Sequence, residues 1–179
     1  MSIVLNGTTG ITTPDINTTA QSTDIISTGD ISAVDATLSG GVYLGGTGSA
    51  NKLEDYEEGT WTPDVEVGSV VSSTGGYVKV GGLVTVFLQI DGITNDTSTS
   101  TFKITGLPFT CNSYNRPTGA VFGERMDVNN VVAACTAGQS TIGLFNGVGS
   151  TTFGDIRYNN VNSAADFSIR LSISYYTAS

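Results

Sequence analysis

Residues 167–175 read FSIRLSISY, and this stretch decides the fold class. Apolar side chains alternate with serine or arginine along it; the apolar set is Phe167, Ile169, Leu171, Ile173 and Tyr175. Because successive side chains of a β-strand point to opposite faces, strict period two predicts an antiparallel strand with one buried face.

The same strand pattern recurs through residues 64–179. Gly81-Gly82 separates two apolar runs, which predicts a hairpin because tight two-residue turns need positive φ. Further short strands are expected at residues 64–67, 101–105, 120–122, 131–135 and 141–145. About seven to nine strands with regular turn signals predict an all-β fold, a C-terminal antiparallel β-sandwich of jelly-roll type.

The strand at residues 83–90, LVTVFLQI, is apolar on both faces. Burial on both faces fits a central strand or a strand that faces another subunit. We prefer the second interpretation, since trimeric jelly rolls pack one sheet around their symmetry axis, and expect a homotrimer.

Residues 1–50 are rich in Thr, Ser and Gly, with apolar residues in small clusters between turn formers. Each piece has too little apolar surface for a core of its own, whereas three copies wound together could bury it along a shared axis. We therefore expect an extended arm or an intertwined shaft here, with disorder as the alternative.

Residues 51–63 form an acidic junction with four carboxylates, Glu54, Asp55, Glu57 and Glu58. We expect a short helical turn that Gly59 ends, presenting a solvated acidic face; a calcium site is the alternative, because clustered carboxylates suit that ion. Trp61, the sole tryptophan, is expected to pack under the sandwich.

Composition excludes several classes of partner. The net charge is -9 with seven basic residues, which argues against nucleic acid and anionic membrane surfaces. No apolar run approaches the roughly 20 residues of a spanning helix, so membrane insertion is not expected, and no secretory signal is visible.

Catalytic patterns are scarce, and we expect neither an enzyme, a cofactor nor a bound metal. The chain has no histidine, so Ser-His-Asp and Cys-His systems cannot form in their usual way, and no phosphate-binding loop occurs. Glu124, Asp127 and Asp155 could serve a glycosidase reaction but are expected to be surface residues. Cys111 and Cys135 are interpreted as small buried side chains, with a disulfide as the alternative.

Two segments, residues 111–117 and 158–162, combine aromatic, amide and, in the first, cationic side chains, as a sugar or protein contact would. Ordinary solvated loops are the alternative. The candidates for receptor contact are Tyr114, Asn115, Arg116, Tyr158, Asn159 and Asn160.

Several phrases resemble phage virion surface proteins. MSIVLNGTTGITTPDI (1–16) resembles the opening of short phage fibre proteins, and NKLEDYEEGTWTP (51–63) resembles a junction motif of tail-fibre-like proteins from marine and freshwater phages. ITGLPF (104–109), STTFGDIRYNNVN (150–162) and SISYYT (172–177) resemble the β-rich module that follows that junction.

The resemblance implies a non-enzymatic trimeric fibre at the virion surface, assembled in the host cytoplasm. Residues 1–50 would bind other virion proteins of the tail or capsid, with virion-attachment candidates Ile3, Val4, Leu5, Ile11 and Ile16. The β head, residues 64–179, would be displayed towards a host-surface glycan or protein. The alternatives are a capsid decoration or cement protein and, further off, a carbohydrate-active fibre enzyme.

Overall fold

The structure is a computed structural model that describes residues 34–35, 38, 40–53, 55–94, 97–114, 116–147, 153–161 and 166–177. Contacts within the chain divide the protein into two units, residues 1–37 and 38–179, and the strands below all belong to the second. The attachment candidates Ile3, Val4, Leu5, Ile11 and Ile16 lie outside the described residues, as does most of the predicted arm.

The described residues are almost entirely β-structure, which confirms the predicted all-β class. The strands are β1 (Val42–Tyr43), β2 (Lys52–Leu53), β3 (Tyr56–Trp61), β4 (Asp64–Val65), β5 (Ser72–Val80), β6 (Leu83–Ile93), β7 (Lys103–Thr105), β8 (Thr118–Glu124), β9 (Val131–Cys135), β10 (Thr141–Asn146), β11 (Gly154–Asp155) and β12 (Phe167–Tyr176). Two short helical segments accompany them, a 3₁₀ turn (Ser49–Asn51) and α1 (Tyr158–Val161). Within the described ranges, no helix is long and apolar enough to cross a membrane.

One continuous antiparallel sheet contains ten of the strands. Its order is β3-β5-β6-β12-β8-β9-β10-β7-β4, with β11 added to β10, while β1 and β2 pair separately. Strand β8 joins the two halves, since residues 121–124 pair with β12 and residues 118–120 pair with β9. Instead of two separate sheets, the structure has one curled sheet whose halves face each other.

The two ends of this strand order are close together in the chain. Only Thr62 and Pro63 separate β3, at one end of the order, from β4, at the other. Because so short a connection spans only a few ångströms per residue, the sheet must curl until its edges nearly meet. The curl encloses a single core, to which both halves contribute.

The core is made by alternate residues of the predicted strands. Val84, Val86, Leu88 and Ile90 of β6 are buried, as are the predicted apolar residues of β12. Strand β12 pairs with β6 on one side and β8 on the other. The predicted hairpin at Gly81-Gly82 is confirmed: Val80 pairs with Leu83, and Gly81 has a φ of 56°.

Aromatic rings lie against glycines of neighbouring strands in the β3-β5-β6 region. A Cβ added at Gly75 would come within 2.5 Å of the Trp61 ring, and one at Gly76 within 2.4 Å of the Phe87 ring. Both pairs are direct cross-strand partners. Glycine is therefore required here to leave room for the ring of the partner. Trp61 packs in the core as predicted, and its Nε1 donates to Gly76 O at 3.3 Å.

The helical turn expected at the acidic junction is wrong. Tyr56–Trp61 is strand β3, paired with β5 along its whole length, because the sheet offers an edge and overrides the local preference. Glu57 and Glu58 consequently point to opposite faces and accept hydrogen bonds from Tyr77 Oη and Tyr56 Oη respectively. Side chains that diverge in this way cannot converge on one calcium ion, and Glu54 lies outside the described residues.

Candidate functional site

The predicted receptor-contact residues have different surroundings in the structure. Tyr114 is 88% exposed and Arg116 is exposed, whereas Asn115 lies outside the described residues. Asn159 and Asn160 are exposed in α1, and Asn160 Oδ1 accepts a hydrogen bond from the Arg157 amide at 2.8 Å.

Tyr158 was predicted to lie at the surface as a receptor contact, but the structure buries it: it is 2% exposed and belongs to the core. Its hydroxyl accepts from the Val67 amide at 3.1 Å and donates to Lys103 O at 3.1 Å. Burial raises the pKa of Tyr158 above its usual value. The polar segment forms one helical turn whose buried side carries Tyr158 and Val161, three residues apart.

Arg116 lies in a surface groove, which we call the Arg116 groove. Its lining residues are Arg116, Thr118, Val132, Ala134, Phe145, Gly147 and Phe153, and its volume is about 330 Å³. The Arg116 Cζ lies 5.0 Å from the Phe145 ring centroid and 5.4 Å from that of Phe153. The two rings meet edge to face at 5.3 Å, so the guanidinium lies beside both in cation–π contact.

Strand alternation produces the apolar floor of the groove. Ala133 and Cys135 of β9 point into the core, so Val132 and Ala134 point outwards. Phe145 lies across Val132 in the sheet, and its ring covers Gly143, whose added Cβ would be 3.0 Å from the ring. The sequence predicted Arg116 but not Phe145 or Phe153, because nothing local links residues so far apart in the chain.

Arg116 has no ion-pair partner among the described residues. Ion pairs of other residues include Lys79 with Asp55, Lys103 with Glu66, and Arg170 with Glu124 and Asp91. A guanidinium next to two rings in an apolar groove therefore keeps its in-plane N–H donors for an outside acceptor.

A second surface feature is a row of large apolar side chains on the outer face of the sheet. Tyr56, Val80, Leu83 and Tyr176 are direct neighbours across β3, β5, β6 and β12. Their exposed fractions range from 40% for Leu83 to 60% for Tyr56. We call these four residues the outer apolar row; Phe87, 54% exposed, lies on the same face.

The outer face of β6 bears on the earlier interpretation of residues 83–90. Val84 and Val86 are buried in the core, while Leu83 and Phe87 are exposed on the other face. Both faces of β6 therefore carry apolar side chains, but only the face with Val84 and Val86 is covered by other residues in the described part of the chain. A partner subunit on the exposed face stays a prediction.

The cysteines are buried, free thiols, which agrees with the first of the two interpretations. Burial raises the pKa of Cys111 and raises that of Cys135 strongly. Such thiols hold little thiolate at neutral pH and are poor nucleophiles.

The spare carboxylates belong to different elements. Glu124 ends β8 and accepts from Arg170 Nη1 at 2.9 Å, while Asp155 is in β11. The amide of Asp127 donates to Val161 O at 2.7 Å. Three or more metal-ligating side chains do not cluster anywhere in the described ranges.

Comparison with known proteins yields one structural likeness. No protein-family model and no curated protein sequence matches the chain. The crystal structure of Dettilon tailspike protein (gp208) is similar with a TM-score of 0.50 and 17% identity, covering 66% of this chain and 23% of that one. The chain thus spans less than a quarter of that tailspike's length. At this identity the likeness is one of fold: the curled all-β arrangement resembles part of a tailspike.

Proposed function

We propose that the protein is a non-enzymatic structural subunit of a phage virion. It forms a homotrimer, attaches through residues 1–50 to other proteins of the tail or capsid, and displays its β domain for contact with the host surface. The observation that carries this proposal is the outer apolar row.

The outer apolar row lies on the exposed face that also carries Phe87. Between the row and Phe87 lie the smaller Thr85 and Ser174, whose hydroxyls hydrogen-bond to each other at 2.8 Å. Contiguous exposed apolar side chains on a soluble domain mark an interaction site. Full burial of such a side chain is favourable by about 1.5–3 kcal/mol, so covering four half-exposed ones contributes roughly 3–6 kcal/mol per copy.

The phage assignment is supported from two sides. Phrases at residues 1–16 and 51–63 resemble fibre and junction motifs, and the β domain resembles part of a tailspike in fold. Similarity of fold alone does not establish function, so attachment to the virion and contact with the host are part of the proposal.

Light scattering on the purified chain tests the trimer. We expect about three times the monomer mass of 18.5 kDa. The double variant Leu83→Ser, Tyr176→Ser should dissociate, because it removes half of the outer apolar row. Val71→Ser is the matched control, since Val71 is exposed but lies off the row. A stable native monomer at micromolar concentration would contradict trimerisation.

Purified particles test the location and the absence of enzymatic activity. Quantitative mass spectrometry should find the chain in virions; a copy number in the tens indicates a fibre, and one in the hundreds indicates capsid decoration. Absence from particles would overturn the virion assignment. Incubating particles with host polysaccharide should release no reducing sugar, and release would refute a purely structural role.

A further inference from the structure

We infer that the Arg116 groove binds an acidic saccharide, a sugar ring that carries a carboxylate, such as a hexuronic acid. This inference rests on the proposed host-surface role and names the ligand class for it. The cation, the exposed ring and the apolar floor of the groove together match such a ligand.

The cation selects the carboxylate. Arg116 is next to Phe145 and Phe153, and no carboxylate of the described residues pairs with it. The guanidinium carbon lies near both ring centroids, and no carboxylate of the described residues takes up its N–H donors, so these donors are available to a ligand. The fork that they form matches the two oxygens of a carboxylate, and apolar walls strengthen the charge-assisted hydrogen bonds. In a chain of net charge -9, a cation that pairs with no carboxylate among the described residues favours an anion from outside.

The ring and floor select the body of the ligand. Phe153 is 61% exposed and forms one wall, while Val132 and Ala134 form the floor. A pyranose presents a face of C–H groups that can lie against such apolar surfaces, with its hydroxyls turned to solvent or to Thr118. The volume of about 330 Å³ is at the lower end for small-ligand sites, which suits one or two sugar rings.

Other ligand classes use only part of the site. A neutral sugar would offer the guanidinium only uncharged hydroxyl acceptors, and an inorganic anion would leave the apolar wall uncovered. A carboxylate on a ring with an apolar face uses both features, and a peptide ligand becomes an outcome of the test below.

Calorimetry on the full chain tests the inference with matched ligands. The probes are short oligomers of galacturonate, glucuronate and a nonulosonic acid, each paired with its methyl ester, which keeps the ring and removes the charge. At least one acid should bind, and its ester should bind at least tenfold more weakly. The affinity for the acid should also fall with added salt.

Variants assign the binding to the groove. Arg116→Gln should lower acid binding at least tenfold while Arg116→Lys keeps part of it, because lysine supplies the charge without the fork. Phe153→Ala should lower the affinity for the acid and for its ester by the same factor. Arg125→Gln is the control. It also removes one positive charge, but Arg125 follows the end of β8 that lies away from the groove. Circular dichroism should show that every variant is folded.

The outcomes separate this inference from the proposed function. Failure of all three acids to bind at millimolar concentration, equal binding of acid and ester, or unchanged binding by Arg116→Gln would each overturn it. Capture of a carboxylate-free peptide that Phe153→Ala abolishes would also overturn it, in favour of a protein partner. If virions carrying Arg116→Gln adsorb normally to host cells, the saccharide inference fails while the host-surface role stands. If the native virions adsorb without using this protein, the host-surface role itself fails.

Discussion

The substitution Gly75→Ala tests how the β3-β5 edge of the sheet is packed. The added Cβ would lie 2.5 Å from Trp61 Nε1 and 2.7 Å from Cε2, inside any normal contact distance. The indole is 9% exposed and belongs to the core, so it cannot swing freely into solvent. It must instead shift in the core and weaken its 3.3 Å hydrogen bond to Gly76 O.

Three contributions set the magnitude. Overpacking a core costs about 1–3 kcal/mol, and a lost hydrogen bond costs about 0.5–1.5 kcal/mol. Replacing glycine in a strand returns about 0.5–1 kcal/mol through lower backbone entropy in the unfolded chain. The net loss in free energy of unfolding is about 2 kcal/mol, within a range of about 0.5–4 kcal/mol.

Urea denaturation followed by tryptophan emission measures this loss, because Trp61 is the sole tryptophan. With a slope of about 2 kcal/mol per molar urea, the midpoint should fall by about 1 M. Gly154→Ala is the control: Gly154 is also in a strand, and a Cβ there meets nothing within 4 Å. All proteins are compared at one concentration, since assembly adds to apparent stability. An unchanged midpoint and emission spectrum for Gly75→Ala would refute the close-packing argument.

Three further outcomes are expected. Tyr158→Phe removes a buried hydroxyl that bonds backbone groups of two segments, and thermal unfolding should show a loss of about 1–3 kcal/mol. Asp55→Ala removes the carboxylate partner of the buried Lys79 and should cost about 1–2 kcal/mol by urea titration, since Asp55 itself is half exposed; no loss would contradict the pairing. Burial raises the pKa of Cys111 and Cys135 in the folded protein, whereas thiols of the unfolded chain ionise at about pH 8.5. The contribution of these thiols to the free energy of unfolding should therefore be fully present below about pH 8.5 and decrease above it. Urea midpoints from pH 7 to 10 check this, and the double Cys→Ala variant should flatten the decline.

Local pattern predicted those strands whose period is visible within a few residues. The alternation at residues 167–175 became β12, and the Gly81-Gly82 pair became the β5-β6 turn, because both signals are contained in one segment. The burial of Trp61 was also predictable, since a large aromatic side chain at the start of a β domain usually packs in the core.

Pairing between distant segments was not predictable. The acidic run before Trp61 favours a solvated turn when read alone, and only β5 makes it a strand. Gly75-Gly76 would ordinarily suggest a turn or a bulge; its true role, space for the rings of Trp61 and Phe87, depends on a register that no single segment encodes.

The candidate site shows the same division. Arg116 was predicted as a contact residue from its polar, aromatic segment, but its companions Phe145 and Phe153 come from β10 and from the residue before β11. Tyr158 was assigned to the surface because its neighbours are polar, and the fold instead turned its ring into the core. Composition alone cannot distinguish an exposed residue such as Arg116 from a buried one such as Tyr158, because the burial of Tyr158 depends on the position of α1 relative to β7.

The central position of β12 has a consequence for biosynthesis. Strand β12 is made after every other described strand, yet it lies between β6 and β8 and pairs with both, through nine residue pairs with β6 and four with β8. Until it emerges from the ribosome, two apolar strands have unpaired edges, which are open to pairing with other nascent chains. The domain can therefore complete its fold only once β12 has been made, and its high share of contacts between residues distant in sequence makes that step slow. During that interval the open edges of β6 and β8 make association with other copies of the chain a competing reaction.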